Sequence, residues 1–141
     1  MELTADEARR RFGGEAVARL ATVGEDGHPH LVPVTFALDG DLVVFAVDHK
    51  PKSGRQLRRI ANIRRDPRVA LLADHYAPDW TALWWARADG VAEVHEQDPA
   101  ALRLLTAAYE QYARRPPAGP FVRIRVRRWT GWAYTDPGPD R

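Results

Sequence analysis

The chain has 141 residues, 45% hydrophobic and 28% charged, which is the balance of one ordinary globular domain able to bury its own core. It contains no cysteine, which excludes a disulfide framework and any thiolate metal site. Its net charge of +2 hides an uneven distribution: from Lys50 to Arg68 eight basic residues meet one acid, Asp66, so that stretch carries +7 and the remainder −5.

In chain order, Thr4-Ala5-Asp6-Glu7 reads as a capping box opening a short helix that Gly13-Gly14 stops. Val17 to Val23 reads as a strand. A Gly24–Gly27 turn joins it to a second strand, His28 to Leu38, in which Pro29 and Pro33 point to an edge or a bulge. Asp39-Gly40-Asp41 is another tight turn, followed by a strand from Leu42 to Val47. Ser53 and Gln56 form a second capping-box signal, and Pro67 bounds the helix they open. At 100° per residue Leu57, Ile60, Ala61 and Arg64 fall on one side of that helix. Arg55, Arg58, Arg59 and Asn62 fall on the other, which predicts one buried and one cationic face. Val69 to Ala73 is a short strand, and Trp84 to His95 a long one that changes face or bulges at Asp89-Gly90. Asp98-Pro99 opens a helix running to about Arg114. Phe121 to Val126 and Trp129 to Tyr134 read as the closing strands. The expectation is a mostly β (α+β) fold: a six- to seven-stranded antiparallel split β-barrel with about three peripheral helices. It forms a single domain over residues 1–141, with a loosely ordered Pro/Gly tail after 135.

Several groups of residues carry chemical potential. Lys50 and Lys52, the chain's only lysines, stand just before the cationic helix, and free amides at a helix start favour anions. This suits a phosphate or polycarboxylate site. His28 and His30 share a strand face but lack a third ligand nearby, so no metal is assigned. Pro33 withdraws one ladder donor, leaving the backbone of Val34, Thr35 and Phe36 open to a planar ring, though the same residues fit an ordinary edge strand. Trp80, Trp84, Trp85, Trp129 and Trp132 suit core packing or an interface first and an apolar cofactor wall second. No Walker loop, dinucleotide fingerprint or nucleophile elbow is present, so an enzyme of this sequence relies on a cofactor for its reaction. Met1 to Arg11 is charged and lacks the apolar stretch of a signal peptide, so the expected location is cytoplasmic.

The order of these segments resembles the split β-barrel flavin-binding superfamily that contains pyridoxamine 5′-phosphate oxidase. The resemblance rests on Ala18–Val23 with its turn, His30–Phe36, Lys50-Pro51-Lys52, Leu57–Ile63 and Asp66–Leu72. The segment Asp79–Gly90 narrows it to the branch using the deazaflavin coenzyme F420 rather than FMN. It implies an oxidoreductase that passes a hydride to a C=C or C=N bond of a small organic substrate, with FMN as the alternative cofactor. It also implies a homodimer with cofactor sites at the subunit interface. The strand from His30 to Phe36 would lie along the ring, with Pro33, Val34, Thr35 and Phe36 on the cofactor. Lys50, Lys52, Arg55, Arg58, Arg59 and Asn62 would hold the phosphate and acidic tail. No protein residue is assigned a catalytic role. A non-catalytic deazaflavin carrier and a nucleic-acid-binding barrel are the readings from other classes. The latter is disfavoured because the charge lies on a helix and its lead-in rather than along aromatic-rich strands.

Overall fold

The computed structural model describes residues 1–47 and 54–135, with the side chains of residues 54–57 outside that description. Seven strands form one antiparallel sheet: β1 (Val17–Val23), β2 (Pro29–Thr35), β3 (Ala37–Asp39), β4 (Leu42–Ala46), β5 (Arg68–His75), β6 (Trp84–His95) and β7 (Phe121–Ala133). Their spatial order is β2-β1-β5-β6-β7-β4-β3. The two ends of this order, β2 and β3, are separated in the chain by Phe36 alone. The sheet therefore curls until its two edges meet at that residue, giving the expected split barrel.

The inner face is apolar. Leu20, Val43, Phe45, Leu71, Val122 and Ile124 are fully buried, and each fully buried side chain of this size contributes about 1.5–3 kcal/mol. Helix α1 (Ala5–Gly13) sends Phe12 into this core, where its ring lies 4.7 Å from Phe36 and 5.2 Å from Trp129. Thr4 caps α1 as expected by accepting from Glu7 N at 3.1 Å. The Glu7 carboxylate turns instead to Arg10 and Arg11. Helix α2 (Gly54–Arg65) buries Ile60 and Ile63 against β1 and β6. A second core lies outside β3 and β4, where α3 (Pro99–Ala108) packs Ala101 and Leu105 over Ala37, Val44 and Phe121.

Three expectations are corrected. The expected second strand breaks at Phe36 into β2 and β3, because the Phe36 ring turns into the core. The last two expected strands are one strand, β7. The register with β6 pairs Asp89 with Arg128 and Gly90 with Val126, so Arg127 is the extra residue of a bulge. Gly90 is required there, since a Cβ would collide with Arg125 O. The third helix breaks at Tyr109, whose backbone is extended (φ −132°, ψ 124°), and resumes as α4 (Glu110–Arg114). No helix among the described residues is long and apolar enough to cross a membrane. The tail beyond 135 and the segment 48–53 lie outside the described residues.

Candidate functional site

Strand β2 lies at the end of the sheet and, among the described residues, pairs only with β1, register Val17↔Thr35 and Arg19↔Pro33. Its alternation puts Val32 and Val34 toward the core and leaves Pro33 and Thr35 exposed. A cleft of about 700 Å³ opens beside this strand, within the usual size of a small-molecule site. Pro33, Val34 and Thr35 form one side, and Ala46 and Val47 close the end where β4 stops. Arg59 reaches in from α2, while Tyr109, Gln111 and Tyr112 face it from the α3–α4 corner.

Arg59 is the electrostatic centre of the cleft. It is half-buried, and its Nε is buried with no hydrogen-bond partner among the described residues. Desolvation pushes its pKa below the ordinary value, and no described carboxylate offsets that cost. Two other arginines of α2 are satisfied otherwise. Arg64 pairs with Glu96 at 3.1 Å, and Arg65 donates to Val23 O and Asn62 Oδ1, both at 3.0 Å. A partly buried cation left without a counter-ion is costly unless a ligand anion supplies one.

A second cleft of about 820 Å³ lies at the other end of β2, between the β1–β2 turn and α2. Arg58, Arg65, His28 and His30 line it, together with Glu25 and Asp26. The buried Nδ1 of His30 has no partner among the described residues. Burial, with Arg58 and Arg59 adding repulsion, holds the His30 ring below its ordinary pKa and hence neutral at pH 7.

The expected site residues separate on this geometry. Pro33, Val34, Thr35 and Arg59 come together in the first cleft. Phe36 does not join them: its ring is in the core, and its main-chain N and O are both engaged by the Tyr109 hydroxyl. Arg58 lines the second cleft. Asn62 also borders it but is buried, with Nδ2 donating to Thr22 Oγ1 at 3.0 Å. The expected division of α2 into faces is thereby corrected. Asn62 and Ile63 are buried while Ala61 and Arg64 are exposed, because a buried amide–hydroxyl pair replaces an apolar contact. Lys50, Lys52 and the Arg55 side chain lie outside the described residues.

Sequence reasoning placed Tyr109 and Tyr112 in a helix and assigned neither to the site. The available signal was Tyr109-Glu110-Gln111-Tyr112, more polar than a packed helix end requires. The tryptophans mostly serve packing: Trp129 donates to Asp41 Oδ1 at 2.9 Å, and Trp84 lies under the Arg11 guanidinium at 5.8 Å. His75 and Tyr76 stay outside both clefts, and His49 is not described. Among the described residues no group of three or more His, Asp or Glu stands close enough to hold a metal ion.

The family model described as pyridoxamine 5′-phosphate oxidase matches residues 4–133. The chain belongs to that family. Its curled sheet is the family's split barrel, a flavin-binding, oxidoreductase-type fold. A FAD-binding protein from Mesorhizobium loti is similar, at 21% identity over 93% of each chain with a TM-score of 0.72. A FAD-binding protein from Mycobacterium smegmatis is 22% identical, over 96% of this chain and 100% of its own, with a TM-score of 0.69. A heme-binding protein from Mycobacterium smegmatis is 26% identical over 95% of this chain and 55% of its own, with a TM-score of 0.73. No curated protein matches the chain. Among the described residues, the first cleft holds no carboxylate and no imidazole, so it offers no acid–base pair that titrates near neutrality. Its residues suit holding and orienting a bound group that brings its own reactivity.

Proposed function

We propose that the protein is a coenzyme F420-dependent oxidoreductase acting as a homodimer, with the ring of the coenzyme against Pro33–Thr35 and its phosphate on Arg59. The observation that carries this reading is Arg59, desolvated and without a carboxylate, in a cleft bordered by the free edge of β2. A phosphodiester supplies the missing counter-ion. The second cleft continues along the same strand and offers Arg58 and Arg65 to the glutamate tail of F420, against Glu25 and Asp26 of the β1–β2 turn. The coenzyme, when bound, supplies hydride-transfer chemistry to a C=C or C=N bond. The chain's own residues bind it, orient it and exclude water.

A second copy is supported by the outer face of β2-β1-β5. Leu31 is 65% exposed, Tyr76 63% and Leu72 37%, and they line one apolar depression with Trp85. Arg19 of this depression lies opposite Pro33 of the cleft, so a protomer seated there borders the cofactor site. FMN is the second reading, because one orphaned guanidinium matches one phosphate. Titration with F420, FMN, FAD and an oligonucleotide at two salt concentrations tests the proposal. F420 should bind tightest, and more weakly in high salt. Tight FMN binding without F420 binding selects the second reading. Oligonucleotide binding without either cofactor overturns both.

A further inference from the structure

The cleft has two unlike walls. One is backbone edge and guanidinium, from β2 and Arg59. The other, from the α3–α4 corner, consists of two phenols and one carboxamide: Tyr109, Tyr112 and Gln111. We propose that this second wall selects the substrate, and that it selects a flat, uncharged compound bearing a carbonyl-type acceptor that receives the Tyr112 hydroxyl. The inference rests on the cofactor reading only in assigning the first wall to the coenzyme.

Charge is the first argument. Apart from Arg59, the described lining of the cleft has no formal charge, so a charged substrate facing the corner meets nothing that repays its desolvation. Hydrogen-bond accounting is the second. The proton of the Tyr109 hydroxyl is committed: the hydroxyl touches Phe36 O, lies 3.0 Å from Ala16 O, and accepts from Phe36 N at 3.3 Å. A phenol has one proton, which these two carbonyls already claim, so none remains to donate to a ligand carbonyl. Among the described residues the Tyr112 hydroxyl has only Thr35 Oγ1, at 3.3 Å, where either oxygen can donate. That is well beyond the usual O–H···O distance of about 2.7–2.8 Å, so this proton passes readily to a better acceptor. Placement is the third argument. The extended backbone at Tyr109 ends α3 and restarts the chain as α4, which brings Gln111 and Tyr112 to the opening. The Tyr109 ring, edge-on to Tyr112 at 5.7 Å, supports the orientation. Tyr109 is thus a positioning residue and Tyr112 the recognising one.

The test uses the full chain and three probes of one ring size: 1-indanone, indane, which lacks the carbonyl, and 1-indanone-5-carboxylate, which adds a charge. Dissociation constants come from ligand-observed NMR, with and without F420. With F420 bound, the wild type should prefer indanone over both other probes; without it the comparison is indanone against indane, because Arg59 is then open to the carboxylate. Tyr112→Phe should weaken indanone about 5- to 10-fold, the worth of one hydrogen bond, while leaving indane unchanged. Gln111→Ala should weaken indanone by a smaller factor. Equal indanone affinity in wild type and Tyr112→Phe overturns the proposal, as does preference for the carboxylate probe once F420 is bound. A Tyr112→Phe loss that falls equally on F420 also overturns it, because the wall then belongs to the coenzyme. If the indanone pattern holds while F420 fails to bind, the selecting wall stands and the cofactor reading falls.

Discussion

Two half-buried arginines sit in opposite electrostatic situations. At the α3–β7 joint, Arg123 grips Asp98, with Nη2 donating to Oδ1 at 2.8 Å and Nε also engaged. Asp98 is buried and caps α3 by accepting from Ala101 N at 3.1 Å. At the α2–β2 cleft, Arg59 is desolvated with no described acid to receive it. The first guanidinium is compensated and holds the architecture together. The second is not, and its cost is sensible only where a ligand completes it.

The largest effect is expected at the compensated joint. Asp98→Ala removes a helix cap and leaves Arg123 unpaired, and should cost about 3 kcal/mol in urea unfolding. Within α2, Asn62→Ala should cost about 2 kcal/mol by orphaning the Thr22 hydroxyl and removing an acceptor from Arg65. Titration of the same variant with F420 should find coenzyme affinity unchanged, so that Asn62 acts on stability alone.

Acid should distinguish the two regions next. The Arg123 hydrogen bond holds the Asp98 pKa down to about 2 from 3.8, and the Arg10 hydrogen bond holds Glu7 to about 2 from 4.5. A carboxylate depressed in the folded state contributes stability that is fully present above its ordinary value and lost as pH falls through the folded value. The urea midpoint should therefore begin to slip below about pH 6.5, where the unfolded chain takes up the proton that His30 resists, and drop further between about 4 and 2, with a shallower acid drop in Asp98→Ala. The smallest effect belongs to Tyr109→Phe, which leaves Phe36 N and Ala16 O without their hydroxyl. It should cost about 1 kcal/mol and widen the indanone preference of the cleft toward bulkier rings.

The parts of the fold legible in the sequence were those written in local signals. Thr4 at the start of α1, Asp98-Pro99 at the start of α3 and the bounds of β1 and β6 all stand where capping and alternation put them. The Asp89-Gly90 irregularity was legible too, but its consequence across the ladder was not. Arg127 and Arg128 are both exposed because the bulge absorbs one of them, and consecutive outward arginines look like a strand end when β7 is read alone. The break at Tyr109 carries no glycine or proline. It depends on a hydroxyl reaching Ala16 and Phe36, residues remote in sequence. In the site, Pro33 to Thr35 and Arg59 were reachable from a proline-marked edge strand and a concentration of charge. The different duties of Arg58, Arg59 and Asn62 were not, because helical periodicity counts polar residues alike and does not register that Thr22 buries one of them.

The central claim is that Arg59 serves a ligand while Arg123 serves the fold. Calorimetric titration with F420, paired with urea unfolding, on Arg59→Ala and Arg123→Ala tests it most directly. Arg59→Ala should lose about 50-fold in coenzyme affinity with its urea midpoint in place, whereas Arg123→Ala should unfold at clearly lower urea and, while folded, bind like the wild type. Wild-type coenzyme affinity in Arg59→Ala, or a loss of stability matching that of Arg123→Ala, would contradict the account.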